Sequence, residues 1–455
     1  MNLSRMLAER DAAGAPVRVG LIGAGAFGTM FLSQARRTPG LHVVGVADLD
    51  ADRARAALAR TGWPQESYGA ASVADAVASR RTCITAEARE LMDSSLVEVI
   101  VEATGSPVAG MAHALGAFEA GCHVVMVTVE ADAVAGPLLA QRAAEAGVIY
   151  SMAYGDQPAL ICELVDWAQT TGFEVVAAGK GTRYLPVYHG STPETVWGHY
   201  ALTAERAAQA GFNAKMFNSF LDGTKSAIEM AAVANATGLR PAPGGLRFPP
   251  ASTDDLASVL RPEEDGGTLA GSGLVEVVSS LHRDGSQVEK DLRWGVYVVF
   301  KAGNDYVAGR MADYGMATDD SGEYSALYRP YHLIGLELGV SVASVALRGE
   351  PTGVANAWVG DAVAVAKRDL AAGETLDGEG GYTVWGRLQP AAASVEAGAV
   401  PIGLAGGVTL GAPVAEGEVV RWEHLAELPG EGNAAYAARR ELEEATKAQG
   451  AAVRG

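Results

Sequence analysis

The feature that most restricts the fold is a glycine motif near the start of the chain. An apolar run over 17–22 is followed at once by Gly23, Ala24, Gly25, Ala26, Phe27 and Gly28. In a G-x-G-x-x-G motif the first glycine permits a tight turn, the second lets the backbone approach a pyrophosphate, and the third lets helix and strand pack closely. The N-terminus of the following helix then faces the phosphate charge. The motif predicts a dinucleotide-binding turn between a buried strand and a helix.

The sequence after the motif alternates between apolar runs and Ala-rich amphipathic stretches. Such alternation predicts a doubly wound parallel sheet of the Rossmann type, covering residues 1–152. Its predicted strands lie at 41–47, 83–84, 97–101, 123–127 and 148–152, and its predicted helices lie at 28–37, 52–60, 108–119 and 135–146.

Three further regions follow from changes in composition. Residues 153–351 predict a central α+β domain for substrate binding and dimerisation, with helices at 159–170 and 328–341 and antiparallel strands at 275–281 and 293–302. Residues 352–432 have short apolar runs between glycine turns, which predicts a small β module. Residues 433–455 alternate alanine with charge and predict a surface helix with a frayed tail.

The residue at the end of the second strand bears on cofactor choice. Asp48 lies about 20 residues after the glycine motif, where a carboxylate can accept hydrogen bonds from the adenosine ribose and repel a 2′-phosphate. It favours NAD. Arg53 and Arg55 follow a few residues later; they could offset that repulsion and admit NADP, or be solvated helix residues.

Polar residues also follow the next two strands at the same edge of the predicted sheet. Thr104 and Gly105 follow one strand, and Thr128 and Glu130 follow the next. This edge is where the nicotinamide half of a dinucleotide binds, so the four residues are predicted to contact the cofactor. Glu130 is either a polar group at the reaction centre or an acid favoured by the dipole of a helix first turn.

The charge and cysteine content exclude several classes of protein. Thirty-five Lys and Arg against 54 Asp and Glu give a net charge of −19, which disfavours nucleic acid and anionic lipid. Three widely spaced cysteines form neither a disulfide framework nor a zinc motif. No apolar run reaches the length of a membrane span or signal peptide. We expect a cytoplasmic protein that binds neither nucleic acid nor membrane.

Two levels of family resemblance are visible. The glycine motif, the strand end VEATGSP (101–107) and the helix ending Ala236-Thr237-Gly238 resemble homoserine dehydrogenases. The whole chain resembles the 1-deoxy-D-xylulose 5-phosphate reductoisomerase-like oxidoreductases, a subfamily of these, whose C-terminal SAF domain is a small β-clip module. The closer resemblance rests on YGDQPAL (154–160), GKGTRYLPVYHGSTPETVW (179–197), DGTKSAIEMAAVANATGL (222–239), YRPYHLIGLELGVSVA (328–343) and AKRDLAAGETLD (366–377).

The resemblance implies catalytic residues on one helix. Homoserine dehydrogenases have an Asp with a Lys four residues later, whereas the matching positions here hold Lys225 and Glu229. Their active-site lysine at the strand end is replaced by Glu130, which puts homoserine activity in doubt. Lys225 or Lys180 could supply positive charge and a proton to a developing alkoxide, Glu229 could orient Lys225, and Asp222 could bind substrate hydroxyls or a divalent cation.

Cations in the segment 179–199 indicate an anion site. Lys180, Arg183, His189 and His199 occur there in an otherwise acidic protein, which suggests binding of a phosphate or carboxylate. His332, within YRPYHL, is a second candidate. The active site is expected where the nicotinamide meets the central domain, in a homodimer or larger homo-oligomer. The SAF-like module is expected to be an independent β domain that does not supply the chemistry.

The predicted function is NAD(P)H-dependent oxidoreduction of a small, anionic carbonyl or alcohol compound. The resemblance narrows this to reductoisomerisation of 1-deoxy-D-xylulose 5-phosphate to 2-C-methyl-D-erythritol 4-phosphate in isoprenoid biosynthesis. Two alternatives remain open from the residues: a homoserine or hydroxy-acid dehydrogenase, and a non-catalytic protein that senses NAD(P). The cofactor stays either NAD or NADP, and the metal requirement stays unknown.

Overall fold

The computed structural model describes residues 2–430 and 432–454. Its N-terminal elements are α1 (Leu3–Ala12), β1 (Val17–Ile22), α2 (Ala26–Ala35), β2 (Leu41–Ala47), α3 (Ala51–Arg60), β3 (Tyr68–Ala70), α4 (Val73–Ser79), β4 (Thr82–Thr85), β5 (Val99–Glu102), α5 (Pro107–Glu119), β6 (His123–Met126), α6 (Val129–Glu145) and β7 (Tyr150–Met152). The central elements are α7 (Gln157–Thr170), β8 (Glu174–Thr182), α8 (Val196–His199), α9 (Ala204–Gln209), α10 (Ala214–Leu221), α11 (Thr224–Thr237), α12 (Leu256–Val259), β9 (Leu274–Ser279), β10 (Val296–Lys301), α13 (Asp305–Asp313), β11 (Tyr324–Arg329) and α14 (Gly339–Arg348). The C-terminal elements are β12 (Gly360–Ala366), β13 (Val384–Pro390), α15 (Ala391–Ala397) and α16 (Ala434–Arg454).

The chain forms two compact units. One comprises residues 1–160 and 333–355, and the other comprises 161–332 and 356–455. The chain thus returns to the first unit through α14 before the C-terminal module begins.

The first unit contains a seven-stranded parallel sheet. Its strand order is β3-β4-β2-β1-β5-β6-β7, which confirms the doubly wound arrangement predicted from the alternation of apolar runs. The strands are buried because helices cover both faces, as parallel sheets require. Two short elements, β3 and α4, were not predicted. Strand β3 has only three residues, too few to show a periodic pattern, and α4 spans only two helical turns.

The second unit is built on a mixed sheet with strand order β11-β10-β8-β9. Strand β8 is central, with β10 antiparallel on one side and β9 parallel on the other. The prediction of one helix over 328–341 was wrong. Tyr324–Arg329 pair with β10 as a strand, and α14 begins only at Gly339. Pairing with a buried neighbouring strand outweighs the helix-like pattern of this local sequence.

The C-terminal module packs against α11. Its strands β12 and β13 are antiparallel over their whole length, which confirms the small β module. The amide of Gly386 donates to the Thr224 hydroxyl at 2.8 Å, and Asn235 accepts from the amides of Val359 and Gly360. This module thus shares buried hydrogen bonds with the central helix of its unit, and its independence from the chemistry stays a prediction.

The last helix, α16, contributes a buried side chain to the core of its unit. The helix expected over 433–455 is present as α16, but its Arg439 side chain is fully buried. Arg439 donates to both oxygens of Asp361 on β12 and, through Nε, to Glu443. None of the helices in the described ranges combines the length and apolar composition needed to cross a bilayer.

Candidate functional site

The glycine loop shows which of its glycines the protein itself requires. A Cβ at Gly23, where φ is +99°, would lie 2.5 Å from the Ala103 carbonyl oxygen, and one at Gly28 would lie 2.3 Å from the Gly23 oxygen. A Cβ at Gly25 would meet nothing within 4 Å. The first and third glycines are demanded by the turn and the packing, whereas the open space above Gly25 fits a pyrophosphate approaching the α2 N-terminus.

Asp48 holds the glycine loop in place from the end of β2. Its carboxylate accepts from the amides of Ala24 at 2.8 Å and Asp50 at 2.9 Å, and from Arg53 Nε at 3.0 Å. Burial alone would raise the pKa of Asp48, but the Arg53 guanidinium and the two amides outweigh it and hold the pKa below its usual value. Asp48 is buried while the Arg53 side chain stays 55% exposed. In this pair the residue exposed to solvent is therefore the cation, Arg53, at the position predicted to face the adenosine ribose.

A buried carboxylate that was not predicted as a site residue connects the next two strand ends. Glu102, at the end of β5, accepts from the hydroxyls of Thr104 at 2.6 Å and Thr128 at 2.5 Å, and contacts His113. Thr128 in turn accepts from the Gly105 amide at 3.0 Å. Three of the four residues predicted from these strand ends, Thr104, Gly105 and Thr128, are therefore brought together. In the sequence, the signal that could have identified Glu102 is an acidic residue at the end of an apolar strand.

The first turn of α6 is acidic and buried. Glu130 lies in this turn, as its helix-end interpretation predicts, and it is buried. Two residues later, Asp132 accepts from the Tyr150 hydroxyl at 2.8 Å. Burial raises the pKa of Asp132 to about 7. A reaction-centre role for Glu130 remains a prediction.

In the second unit, Lys180 lies near the C-terminal end of β8, between two glycines. A Cβ at Gly179 would overlap the Glu276 carbonyl oxygen, and one at Gly181 would overlap the Leu292 oxygen. Neighbouring backbone therefore crowds one face of the strand and requires glycine there. Side chains alternate along a strand, so Lys180 points to the opposite face, where its side chain is only 8% exposed.

Lys180 forms an ion pair with Glu229 of α11. The Glu229 side chain is 5% exposed, so both charges are removed from solvent. Glu229, predicted to orient Lys225, hydrogen-bonds Lys180 of another element, and an effect of Glu229 on Lys225 stays a prediction. Lys225 is half-buried one helical turn before Glu229. Helical spacing alone suggested the local pair, but burial of Glu229 against β8 gives it a cation 49 residues away in sequence.

Asp222 does not have the role predicted for it. Its side chain is fully buried and accepts from Lys367 Nζ at 2.8 Å and from the Thr224 amide at 2.9 Å. Lys367, from the SAF-like module, also donates to the carbonyls of Ser191 and Gly381. A carboxylate enclosed in this way presents no face to a substrate hydroxyl or a cation. The pair instead joins the module to the residues just before α11.

His189 is also committed to structure. Its Nδ1 lies 2.7 Å from the Asp222 carbonyl, which can only accept, so Nδ1 carries the proton and Nε2 accepts from the Tyr184 hydroxyl at 2.9 Å. The ring stacks on Trp385 with centroids 3.8 Å apart. Burial, the largest influence, lowers the pKa of His189 and keeps it neutral. The catalytic role predicted for His189 is not supported by this geometry.

The last of the predicted catalytic residues is His332. His332 is half-buried, and its Nδ1 lies 2.8 Å from the Trp294 carbonyl, on the turn before β10. Within residues 2–430 and 432–454, no group of three or more His, Cys, Asp or Glu side chains is arranged to hold a metal ion.

Three family models match consecutive parts of the chain. One described as an oxidoreductase family with an NAD-binding Rossmann fold matches residues 17–154. One described as the catalytic domain of oxidoreductase DRL matches 155–338, and the SAF domain model matches 361–426. The second segment contains both Lys180 and Glu229, and the third contains Lys367. The SAF resemblance is confirmed. No curated protein matches the chain significantly.

Several solved structures are similar to parts of the chain at low identity. An NAD-binding oxidoreductase from Klebsiella pneumoniae is 22% identical over 39% of this chain and 45% of that chain, with a TM-score of 0.29. The WlbA dehydrogenase from Bordetella pertussis, in complex with NADH and UDP-GlcNAcA, is 18% identical over 37% and 47%, with a TM-score of 0.27. The chain thus spans less than half the length of either protein. A homoserine dehydrogenase from Thiobacillus denitrificans is 16% identical over 73% and 74%, with a TM-score of 0.42.

Proposed function

We propose that the protein, an NAD(P)-dependent oxidoreductase, reduces the carbonyl group of a small phosphorylated compound at the Lys180–Glu229 pair. The substrate we propose is 1-deoxy-D-xylulose 5-phosphate, rearranged and reduced to 2-C-methyl-D-erythritol 4-phosphate. The observation that carries this proposal is the buried ion pair within the segment that matches an oxidoreductase catalytic domain. The choice of substrate rests on the resemblance of the segments around β8 and α11.

The pair suits carbonyl reduction for electrostatic reasons. When bound, the nicotinamide supplies a hydride to the carbonyl carbon, and negative charge then develops on the carbonyl oxygen. Lys180 is paired with Glu229 in a site largely shielded from water, where a fixed cation stabilises such an oxygen more strongly than in solvent. The ammonium group can then donate its proton to the oxygen, which yields the alcohol. Glu229 orients Lys180 through their ion pair.

Arg53 indicates the cofactor. The Asp48 carboxylate, which by itself favours NAD, is already neutralised by Arg53 and two backbone amides. Arg53 uses Nε and Nη2 in this pair, and its half-exposed side chain is available to a 2′-phosphate, as a nearby arginine is in NADP enzymes. We infer that NADP is preferred, with Asp48 positioning Arg53.

The test is an assay of NADPH and NADH oxidation against defined substrates. The panel comprises 1-deoxy-D-xylulose 5-phosphate, its dephosphorylated form, aspartate semialdehyde and a 2-keto acid, with products identified by mass spectrometry. We expect turnover with the first compound, and an alcohol product whose mass exceeds that of the substrate by two hydrogens. Turnover of aspartate semialdehyde or the keto acid instead would contradict the proposed substrate. Tight NADPH binding without turnover of any compound would favour a sensing role.

A further inference from the structure

Two arginines lie at the same end of the paired strands β8 and β10. Arg183 comes directly after β8, three residues beyond Lys180, and Arg293 lies three residues before Val296, the residue that pairs with Lys180. The amide of Gly181 donates to the Gly295 carbonyl at 3.1 Å, so the two strands remain joined up to this end. Both arginines therefore belong to the strand end next to the proposed catalytic lysine.

One of the two guanidinium groups lies against aromatic side chains. Arg293 lies over the Tyr200 ring, 5.7 Å from its centroid, and over the Trp294 ring at 4.6 Å. Burial raises the pKa of Tyr200, although the positive charges of Arg293 and Arg183 both act to lower it. Tyr200 follows α8, whose His199 has its pKa lowered by burial and by Arg183. A neutral histidine there leaves the arginines as the source of positive charge.

Neither arginine is neutralised within its own unit. The Nε of Arg183 is buried and has no hydrogen-bond partner, and in the part of the chain that the structure describes neither guanidinium forms an ion pair with a carboxylate. Four other enclosed cations are each paired with a carboxylate: Lys180 with Glu229, Lys367 with Asp222, Arg261 with Asp319 and Arg439 with Asp361. A buried guanidinium N–H without an acceptor costs free energy unless a ligand satisfies it.

We propose that Arg183 and Arg293 bind the phosphate group of the substrate. A phosphate monoester carries close to two negative charges and several acceptor oxygens, which match two guanidinium groups better than a single carboxylate does. Lys180 is already paired with Glu229 and, in the proposed function, serves the carbonyl oxygen. The arrangement divides the work, since the arginines hold the anion at the strand end while Lys180, three residues earlier, serves the carbonyl oxygen. This inference rests on the proposed function for the identity of the ligand only.

Binding of inorganic phosphate tests the site without any assay of activity. At constant ionic strength, replacing chloride by phosphate should raise the melting temperature of the wild-type protein. The rise should disappear in the Arg183→Met/Arg293→Met double variant. Arg206, exposed on α9, provides a matched control, because Arg206→Met removes the same charge and should keep the rise. An equal rise in all three proteins would overturn the proposal.

Kinetics with paired substrates then identify what the arginines recognise. For 1-deoxy-D-xylulose 5-phosphate, each single Met variant should raise KM about 10- to 100-fold, as expected for loss of one charged hydrogen-bonding partner, with a much smaller change in kcat. For the dephosphorylated sugar, KM should be similar in variant and wild type. Arg183→Lys and Arg293→Lys keep the charge and should recover part of the affinity, which a purely structural role would not explain.

The two proposals fail differently. Normal KM for the phosphorylated substrate in both Met variants would remove the arginines from the site and leave the proposed function intact. Loss of phosphate binding in the double variant, together with no turnover of 1-deoxy-D-xylulose 5-phosphate by the wild type, would keep the anion site and reject that substrate.

Discussion

Glu229 pairs with Lys180 across two elements, although Lys225 lies only one turn away on its own helix. Helical spacing favoured the local pair, yet the buried pair between α11 and β8 is the one that can keep a cation fixed in a shielded site. This relationship decides which lysine is expected to matter most for turnover.

Replacing Lys180 should reduce turnover more than replacing Lys225. Loss of the cation that stabilises the oxygen should lower kcat by about 10²–10³, as for removal of one oxyanion donor. Lys180→Met alone would leave Glu229 buried without its cation, so Lys180→Met/Glu229→Met is the variant to compare with Lys225→Met. Stopped-flow hydride transfer and NADPH titration should show slow chemistry with unchanged cofactor affinity. A larger kcat loss in Lys225→Met would return the catalytic role to Lys225.

The glycine loop predicts opposite outcomes at two of its positions. Gly25→Val places a side chain in the open space above the loop, so the protein should fold normally and lose most of its affinity for NADPH. Gly28→Val would place a side chain against the Gly23 carbonyl and should lower the melting temperature. Thermal unfolding and fluorescence titration of NADPH measure the two effects. Unchanged NADPH affinity in folded Gly25→Val would remove the loop from the binding site.

Cofactor preference should depend on Arg53. Arg53→Ala removes the cation beside Asp48, so the KM for NADPH should rise at least tenfold, about the loss of one charged hydrogen bond, while the KM for NADH changes little. Arg55→Ala is the control, since Arg55 pairs with the exposed Asp52 on the same helix. Equal changes for both cofactors would mean that Arg53 only supports the fold.

Stability should depend on pH through Glu276. This fully enclosed carboxyl accepts from the amides of Val277, Arg247 and Phe248, and burial nevertheless raises its pKa from 4.5 to about 7. The folded state therefore binds more protons than the unfolded state between these values, so the free energy of unfolding should fall as pH rises from about 4.5 to 7. In Glu276→Gln, whose single amide oxygen can still accept these bonds, the fall should be shallower. Urea unfolding at several pH values gives the comparison, and parallel curves would contradict it.

The buried Arg439 should be essential for stability. Arg439→Met leaves Asp361 and Glu443 buried without their cation, which should cost about 3–5 kcal/mol of unfolding free energy. Adding Asp361→Asn should recover part of that loss by removing one uncompensated charge. Arg440→Met, at the adjacent half-exposed position, should cost less than about 1 kcal/mol. Chemical denaturation measures all three; similar losses at positions 439 and 440 would show that the network contributes little.

Features encoded in short stretches of sequence were predictable. The glycine motif, the strand before it and Asp48 lie within about 30 residues of each other, and their spacing is set by one strand-turn-helix unit. The alternation of apolar runs was sufficient for the parallel sheet. In both cases the physical cause, a turn or a periodic buried face, acts locally, so the sequence alone could reveal it.

Pairings between distant residues were not predictable. Lys180 and Glu229 are separated by 49 residues, and Asp222 and Lys367 by 145. Nothing in the residues around Asp222 shows that a lysine from another module will enclose it. Its carboxylate was therefore predicted to bind a substrate hydroxyl or a divalent cation. His189 was misjudged for the same reason, because its partners Tyr184 and Trp385 come from a neighbouring loop and from β13.

The Lys367–Asp222 bond also limits how such a chain can change by recombination. A SAF module exchanged for one without the lysine would leave Asp222 charged and enclosed immediately before α11, the helix that carries Glu229. The catalytic segment and the module must therefore be exchanged together, or Lys367 and Asp222 must be replaced by uncharged residues at the same time.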